Sequence, residues 1–229
     1  MANKGETKCL KVNNTHAMSG VDKRKRFSYK QRPGKHTGKT SVSLGYVLKN
    51  LLYLADNDKE VVYILTNRYV IVDKKVVVNK NLPVGLFDVI EIPKLNKYYS
   101  VVYLTNGALS VKEITKDEAR YKICKIVSKK IIKKNNVQLV TNDGRTIVTT
   151  NLAYAPKASI KLDLEENTIK EYYPLEKSRD VLVISGKHVG QTAKIENITP
   201  GTMQRQALIR VKEKGIEFET TEKNIIVIN

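Results

Sequence analysis

Apolar residues recur at two different spacings along the chain, and the change of spacing separates a helical region from a long β region. Between residues 42 and 65 they recur every three or four positions, which predicts two amphipathic helices, each with one buried stripe. The stripe residues are Val42, Leu44, Val47, Leu48, Leu51 and Leu52 in the first helix, and Val61, Ile64 and Leu65 in the second. Asn57 stands at the predicted start of the second helix, with Glu60 three residues later as its reciprocal capping partner.

Runs of β-branched and aromatic residues follow the helices and predict a series of hairpins. The paired runs are residues 69–72 and 76–78, 98–104 and 108–111, 138–141 and 146–149, and 159–164 and 168–172. Asn106-Gly107 and Asp143-Gly144 lie between two of these pairs and are strong hairpin turns. The pattern predicts an antiparallel β domain over residues 93–177 with no crossover helices.

The last segment, residues 178–229, carries small residues at fixed spacing after a short strand. Gly186, Gly190, Ala193 and Ile195 form the pattern G-x3-G-x2-A-x-I. Small residues permit a tight loop whose backbone closely approaches a partner. The pattern resembles the KOW motif of small SH3-like barrels, with Ala in place of the usual third small residue. Glycine-containing hairpins without a ligand are at least as common, so this alternative stays open.

The net charge changes the interpretation of these modules. Lysine and arginine total 41 against 23 acidic residues, a net charge of +18, which implies a polyanionic partner, usually nucleic acid. A membrane surface is the other candidate, but no apolar run approaches the ~18–20 residues that span a bilayer. No apolar signal-peptide core is present, so we expect the protein inside the cell, with Cys9 and Cys124 as free thiols.

Residues 1–41 hold half of the excess charge, with eleven basic residues against two acidic ones, or 11 − 2 = +9. Apolar residues are sparse and aperiodic there, which predicts a basic extended arm, unfolded alone, that becomes ordered on RNA. Phe27 and Tyr29 lie beside the basic cluster at residues 23–26 and would add rings for base stacking. A solvated tail and a nuclear import signal are the alternatives for this segment.

The residue spacings do not match those of catalytic, metal-binding or nucleotide-binding motifs. Residues 34–40 (GKHTGKT) resemble a phosphate-binding loop, but three residues stand where four are needed, and Pro33 occupies a required glycine position. His16, His36 and His188 lack metal-site spacing and a paired nucleophile, so we interpret them as surface or RNA-adjacent side chains. The sequence predicts no catalytic residue, metal or cofactor. Tyr53, Tyr63 and Tyr69 fit core packing better than base stacking.

Two resemblances give these patterns a common interpretation. Residues 42–92 are similar to the small RNA-binding module first described in bacterial small-subunit ribosomal protein four, whose second helix and hairpin form a concave positive face. Residues 82–90 (LPVGLFDVI), 118–126 (EARYKICKI) and 140–147 (VTNDGRTI) look like blocks of the eukaryotic and archaeal, e-type, small-subunit ribosomal protein four family. The likeness runs in register from about residue 42 to the last residue, whereas the arm is similar only in charge.

The family resemblance implies a structural constituent of the small ribosomal subunit that binds and braces rRNA, supports assembly and translation, and is not an enzyme. The implied partners are small-subunit rRNA and neighbouring ribosomal proteins, without a membrane and without homo-oligomerisation. The implied location is the cytoplasmic ribosome, with assembly in the nucleus or nucleolus if the source is eukaryotic. Eukaryotic relatives continue beyond the position of Asn229 with a basic tail, so contacts of such a tail would be missing.

The predicted architecture is α+β and mostly β, in four segments. They are a basic unfolded N-terminal arm (1–41), a helix-helix-hairpin RNA-binding module (42–92), a central antiparallel β domain (93–177) and an SH3-like KOW barrel (178–229). One departure from the family concerns the first hairpin, where Lys74 follows Asp73 in place of the usual glycine. A non-glycine residue is costly at positive φ, so we expect a different turn type there.

The side chains assigned to RNA contact are positively charged or lie beside a positive charge. They are Lys23, Arg24, Lys25, Arg26, Arg32, Lys35, Lys39, Lys49, Asn67, Arg68, Lys74, Lys75, Lys129, Lys130, Arg145, Lys187 and His188. Two other functions stay open. One is an RNA-modifying enzyme such as a pseudouridine synthase, although residues 93–229 are filled by small β modules. The other is a transcription or translation factor that uses a KOW module to hold a polymerase or ribosome transiently.

Overall fold

A computed structural model describes residues 8–10, 27–132, 136–202, 205–213 and 215–229. The chain divides into two compact units. The first unit holds the described residues up to 103 together with 108–120, and the second holds residues 104–107 and the described residues from 121 onward. Strands dominate both units, which confirms the predicted mostly β class. In the described part of the chain, no helix is long and apolar enough to cross a membrane.

The first unit contains nine strands and two short α-helices within the described residues. Its elements are β1 (Lys8–Leu10), β2 (Phe27–Tyr29), β3 (Ser41–Ser43), α1 (Leu44–Tyr46) with the π-helical segment Val47–Leu51, α2 (Asp58–Thr66), β4 (Ile71–Val72), β5 (Lys75–Val76), β6 (Pro83–Gly85), β7 (Val89–Ile92), a 3-10 turn Pro93–Leu95, β8 (Lys97–Tyr103), β9 (Leu109–Ile114) and a 3-10 turn Glu118–Arg120.

The second unit is built from strands that follow one another through short connections. Its elements are β10 (Tyr121–Ile131), β11 (Val137–Thr141), β12 (Thr146–Thr149), β13 (Ser159–Asp163), β14 (Ile169–Tyr173), β15 (Asp180–Val183), β16 (Thr192–Thr199), β17 (Leu208–Glu213), β18 (Ile216–Thr221), a 3-10 turn Glu222–Asn224 and β19 (Ile225–Val227).

The two predicted helices are present, and their apolar stripes form the core of the first unit. Val42, Leu44, Val47, Leu48, Val61 and Leu65 are buried in one cluster. The capping pair of α2 differs in detail from the prediction. Glu60 accepts from the backbone N–H of Asp56 at 2.8 Å and from the side-chain amide of Asn57 at 3.2 Å, while the Asn57 side chain caps no helical N–H.

The main sheet of the first unit is antiparallel, in the order β5-β4-β7-β8-β9. The boundary that the sequence placed between residues 92 and 93 falls inside this sheet, because β7 pairs with β8 from Val89↔Ser100 to Ile92↔Lys97. β8 and β9 form the predicted hairpin, with Gly107 at a φ of 81° in its turn. The strands that follow the second helix therefore share one sheet with the β4–β5 hairpin.

The turn between β4 and β5 has positive φ at both central positions, although neither residue is glycine. Asp73 has a φ of 48° and Lys74 a φ of 61°, and positive φ at both central positions is the requirement of a type I′ turn. The Asp73 carboxylate accepts from the backbone N–H of Val89 at 3.0 Å, and Lys74 Nζ lies 2.9 Å from Glu91 Oε1. These contacts offset the cost of a left-handed lysine.

The described part of the N-terminal arm contains two short strands, although the sequence predicted a segment that is unfolded alone. β1 pairs antiparallel with β2, with Lys8 opposite Tyr29. The Tyr29 ring packs against the core, and its hydroxyl donates to Asp58 Oδ1 at 2.6 Å. Burial and this carboxylate raise the pKa of Tyr29 above its usual range. Tyr29 therefore attaches β2 to partners that lie far away in sequence, a contact that the composition of the arm does not reveal.

The second unit contains two five-stranded antiparallel sheets, in the orders β12-β11-β10-β13-β14 and β18-β17-β16-β15-β19. The predicted hairpins β11–β12 and β13–β14 are present. Lys125 Nζ donates to the carbonyls of Glu222 at 2.6 Å and Ile225 at 2.7 Å. The backbone N–H of Val227 donates to Ser159 Oγ at 3.0 Å. The predicted boundary at 177/178 thus falls within one compact unit, because these bonds join its two sheets.

Candidate nucleic-acid interface

A short basic rim follows α2 and continues into the β4–β5 hairpin. The hairpin rim consists of Arg68, Lys74 and Lys75, and the side chains of Arg68 and Lys75 are exposed. Arg68 lies just beyond the helix with a φ of 56°. The Asn67 side-chain amide donates to the Tyr63 carbonyl at 2.9 Å. This side chain therefore caps the last turn of α2, although Asn67 is also exposed to solvent. Rigid elements hold these charges at fixed positions.

Two predicted contact residues of the first unit are partly used by intramolecular ion pairs. Lys74 Nζ pairs with Glu91, and Lys49 Nζ lies 3.3 Å from Asp58 Oδ1. Burial would raise the pKa of Asp58, but the Tyr29 hydroxyl and Lys49 outweigh burial and lower it. Lys49 and Lys74 therefore offer less charge to a phosphate than Arg68 or Lys75.

Lys35 is enclosed by carboxylates. Its Nζ lies 2.6 Å from Asp73 Oδ2 and 2.9 Å from Asp88 Oδ2. His36 Nε2 lies 2.9 Å from Asp88 Oδ1, and its ring packs so closely on Gly85 that any Cβ there would overlap it. Both side chains satisfy the buried Asp88, so much of the Lys35 charge is used within the fold, and the His36 side chain is nearly buried. RNA contact by Lys35 stays a prediction.

The same loop also carries two cations that face solvent. Arg32 and Lys39 are exposed, and the backbone N–H of Arg32 donates to the Asn81 carbonyl at 2.9 Å. The loop is thus held by its backbone and by Lys35 and His36, while Arg32 and Lys39 remain on its surface. The cluster Lys23, Arg24, Lys25 and Arg26 lies outside the described residues.

The basic strand β10 uses much of its charge inside the second unit. Lys122 Nζ lies 3.0 Å from Asp143 Oδ2, and both side chains are almost fully buried. Burial alone would raise the pKa of Asp143. The positive charges of Lys122 and Arg145, together with a hydrogen bond from Thr141, lower it to about 2. Lys129 Nζ donates to the Leu152 carbonyl at 2.5 Å. Of the two β10 lysines assigned to RNA contact, Lys129 and Lys130, only Lys130 is exposed.

Arg145 also serves the interior of the second unit. Its Nε lies 3.0 Å from Asp143 Oδ2, and its Nη1 donates to Asn167 Oδ1 at 3.0 Å. The guanidinium bridges the β11–β12 turn and the β13–β14 turn. Asp143 is shared between Lys122 and Arg145, so the three side chains keep a net positive charge, and RNA contact by Arg145 stays a prediction.

The glycine-rich loop after β15 contains one exposed cation and one packed ring. Lys187 is exposed, whereas His188 stacks on Phe218 with ring centroids 4.0 Å apart, and its Nδ1–H donates to Gln191 Oε1 at 2.8 Å. Gly190 has a φ of 82°, and a Cβ there would collide with the Leu104 carbonyl. The loop therefore needs glycine for close backbone packing within the unit, and His188 packs instead of projecting towards a ligand.

Exposed aromatic side chains are the feature that the sequence interpretation missed. Tyr53 is 82% exposed and Tyr63 is 64% exposed, so their assignment to core packing is wrong. Tyr69 is half-buried, and its ring centroid lies 6.5 Å from that of Tyr63 in an edge-to-face arrangement. Helical spacing contained the signal, because Tyr63 lies off the buried stripe of Val61 and Leu65.

Metal ligands are not gathered anywhere in the described part of the chain, where no group of three or more His, Cys, Asp or Glu residues could hold an ion. The arrangement that remains is a set of exposed cations on ordered elements. It can make charge-assisted hydrogen bonds to an anion.

Comparison with known proteins identifies the family. The model of ribosomal family S4e matches residues 95–169. Small ribosomal subunit protein eS4 of Nanoarchaeum equitans is 35% identical over 199 residues, covering 87% of this chain and 85% of that protein. The chain belongs to the eS4 family. Protein eS4A of Schizosaccharomyces pombe is 34% identical over 203 residues, which are 88% of this chain and 77% of the relative.

A solved eS4-family structure supports the same fold. The crystal structure of the S4e protein of Thermoplasma acidophilum matches with a TM-score of 0.72 and 32% identity, covering 82% of this chain and 95% of that one. The family resemblance inferred from the three sequence blocks is therefore confirmed.

Proposed function

We propose that this eS4-family chain is a structural constituent of the small ribosomal subunit that binds and braces small-subunit rRNA. The observation that carries the proposal is the 35% identity over 87% of the chain to a protein named as a component of that subunit. The protein acts by binding, without turnover, beside neighbouring small-subunit proteins. Its proposed location is the cytoplasmic ribosome, with assembly in the nucleolus in a eukaryotic source.

Exposed cations on ordered elements support this function physically. Arg68 and Lys75 on the hairpin rim, Arg32 and Lys39 on the preceding loop, and Lys130 on β10 are exposed. Because ordered backbone fixes their spacing, phosphates can bind them with little further ordering cost. Such contacts position the protein on folded RNA, and they give an affinity that depends strongly on salt.

The four predicted segments receive functional roles within this proposal. Residues 42–92 dock as the RNA-binding module, since α2 and the β4–β5 hairpin carry the rim. Residues 178–229 act as a KOW module through the loop that contains Lys187, and residues 93–177 brace neighbouring RNA. The cluster at residues 23–26 adds sequence-independent phosphate contacts. Neutralising that cluster is expected to weaken binding to all RNAs alike and to reduce the salt dependence.

The first experiment places the full chain in the cell. A tagged copy should co-sediment with small subunits and their precursors and should remain stoichiometric after a high-salt wash. If roughly 8 phosphates are neutralised, purified protein should bind small-subunit rRNA with a log–log salt slope of about −6 to −7. Release by the wash would indicate a transient translation factor, and failure to bind rRNA at low salt would reject the proposal.

The second experiment tests the hairpin rim directly. Arg68→Ala should weaken rRNA binding by about 1–3 kcal/mol and remove a defined footprint. Arg210→Ala is the matched control, because Arg210 is an exposed arginine whose Nη2 pairs with Glu219 at 2.9 Å. Identical footprints for wild type and Arg68→Ala would contradict the assignment of the rim.

A further inference from the structure

The outward face of α2 carries an apolar and aromatic patch. Val62 is 45% exposed and Tyr63 is 64% exposed. Lys59 and Thr66 belong to the same face, because residues spaced by three, four and seven positions lie above one another on a helix, and both are exposed. This face is opposite to the buried stripe and contributes nothing to the core.

The Tyr63 ring is held in place by its neighbours. It meets the Tyr69 ring edge-to-face at an interplanar angle of 78°. Lys94 Nζ lies 3.5 Å from the centroid of the Tyr69 ring, a cation–π contact that fixes the second ring in turn. A ring on a helix with a second ring behind it loses little rotamer entropy when a ligand binds.

The charges near this patch favour an anionic partner. The two carboxylates of the first helical turn are occupied, since Asp58 accepts from Tyr29 and pairs with Lys49, and Glu60 accepts from the Asp56 N–H. Lys59 and Arg68 are exposed at the two ends of the same helix. Aromatic surface flanked by cations is the combination that binds single-stranded nucleic acid, with the ring under a base and the cations on phosphates.

We propose that Tyr63 is a stacking platform for an unpaired RNA base, with Lys59 and Arg68 contacting the adjacent phosphates. The inference rests on the proposed function and names a local element of it, an unpaired nucleotide at the outward face of α2. A protein partner fits this surface less well, because a typical protein interface needs a wider apolar core than one valine and one tyrosine provide.

Fluorescence can detect stacking directly, because the chain contains no tryptophan. Tyr63→Trp places a single indole at the site, and adding oligoadenylate should quench its emission as a base stacks on it. Inorganic polyphosphate supplies the charges without bases and should bind without quenching. Tyr53→Trp is the control, since Tyr53 is also highly exposed. Equal quenching by polyphosphate, equal quenching at position 53, or no quenching by bound oligoadenylate would overturn the proposal.

Affinity measurements with rRNA separate stacking from charge. Tyr63→Leu should lower the affinity of the full chain by roughly tenfold or more with an unchanged salt slope, because a lost ring removes stacking but no charge. Tyr63→Phe should retain the wild-type affinity, and Arg68→Ala should make the salt slope shallower. Thermal unfolding should be unchanged by Tyr63→Leu, as the side chain is mostly exposed.

The outcomes of this experiment distinguish the two proposals. If wild-type protein does not bind rRNA, the proposed function fails. If wild-type protein binds and Tyr63→Leu binds equally well, the function stands and the stacking platform is rejected. Tyr63→Leu protein that binds rRNA normally but fails to enter small subunits would also reject it and would point to a protein contact at this face.

Discussion

Strand β10 and the hairpin rim are both basic in sequence, but they use their charges in opposite ways. On β10, Lys122 is buried against Asp143, and Lys125 is buried against backbone carbonyls. On the rim, Arg68 and Lys75 face solvent. A lysine on a central strand meets the interior as well as the surface, whereas a residue at a helix end or edge strand faces water. Charge counted along a sequence is therefore larger than the charge available to RNA.

The largest expected effect comes from breaking the buried ion pair of β10. Asp143→Asn removes the carboxylate that pairs with the buried Lys122 and should lower the free energy of unfolding by about 3–5 kcal/mol. Urea denaturation measures this loss. The double variant Lys122→Met/Asp143→Leu should recover part of it, because it removes the buried charge but still deprives Thr141 and Arg145 of the carboxylate. A single variant as stable as wild type would contradict the burial of this pair.

The next effect separates two lysines of the same strand. Lys125→Met removes the donor to the carbonyls of Glu222 and Ile225 and should cost about 2–3 kcal/mol of unfolding free energy. Lys130→Met is the matched control, since Lys130 is exposed on β10. Lys130→Met should leave the unfolding free energy within about 0.5 kcal/mol of wild type and reduce the salt dependence of rRNA binding. Equal losses of unfolding free energy at the two positions would contradict the assignment of Lys125 to the interior and of Lys130 to the surface.

Acid should weaken the second unit through the same pair. Asp143 has its pKa lowered in the folded protein from 3.8 to about 2, so it stabilises the fold above pH 4 and loses this contribution as the pH falls towards 2. The loss should be about 2 kcal/mol. Comparing the pH dependence of urea unfolding in wild type and Asp143→Asn isolates it, and parallel pH profiles for the two proteins would exclude the assigned cause.

The smallest effect sharpens the comparison within the rim. Lys75→Ala should make the log–log salt slope of rRNA binding shallower by about 0.7–0.9 with unchanged stability, because one phosphate contact is lost. Lys74→Ala should change the slope less, since Lys74 already pairs with Glu91 at 2.9 Å. Salt titrations of both variants measure the difference, and a larger change for Lys74 would show that Glu91 leaves its charge available.

Local sequence signals predicted the elements of this fold well. Helical spacing located the two buried stripes, and Asn106-Gly107 and Asp143-Gly144 located two hairpins, because turn chemistry and periodicity act over a few residues. The boundary at 92/93 stays a prediction, and the pairing of β7 with β8 continues one sheet across it. A short polar connection is compatible with both a domain boundary and a hairpin.

The candidate site was less predictable than the fold. Lys35 was assigned to RNA because no local pattern shows that Asp73 and Asp88 lie near it, 38 and 53 residues away in sequence. Tyr29 was expected to stack on bases for the same reason, yet it bonds to Asp58. Exposure is a property of the completed fold, so residue type predicts the chemistry of a side chain but not its availability.

The hydrogen bonds of β19 have a consequence for biosynthesis. β19 pairs with β15. Its Ile225 carbonyl accepts from Lys125 Nζ, and the backbone N–H of Val227 donates to Ser159, the first residue of β13. A nascent chain cannot make these bonds until residue 227 has left the translating ribosome's exit tunnel. The second unit must therefore finish folding after residue 227 has emerged, whereas β1 to β9 can fold earlier, during elongation.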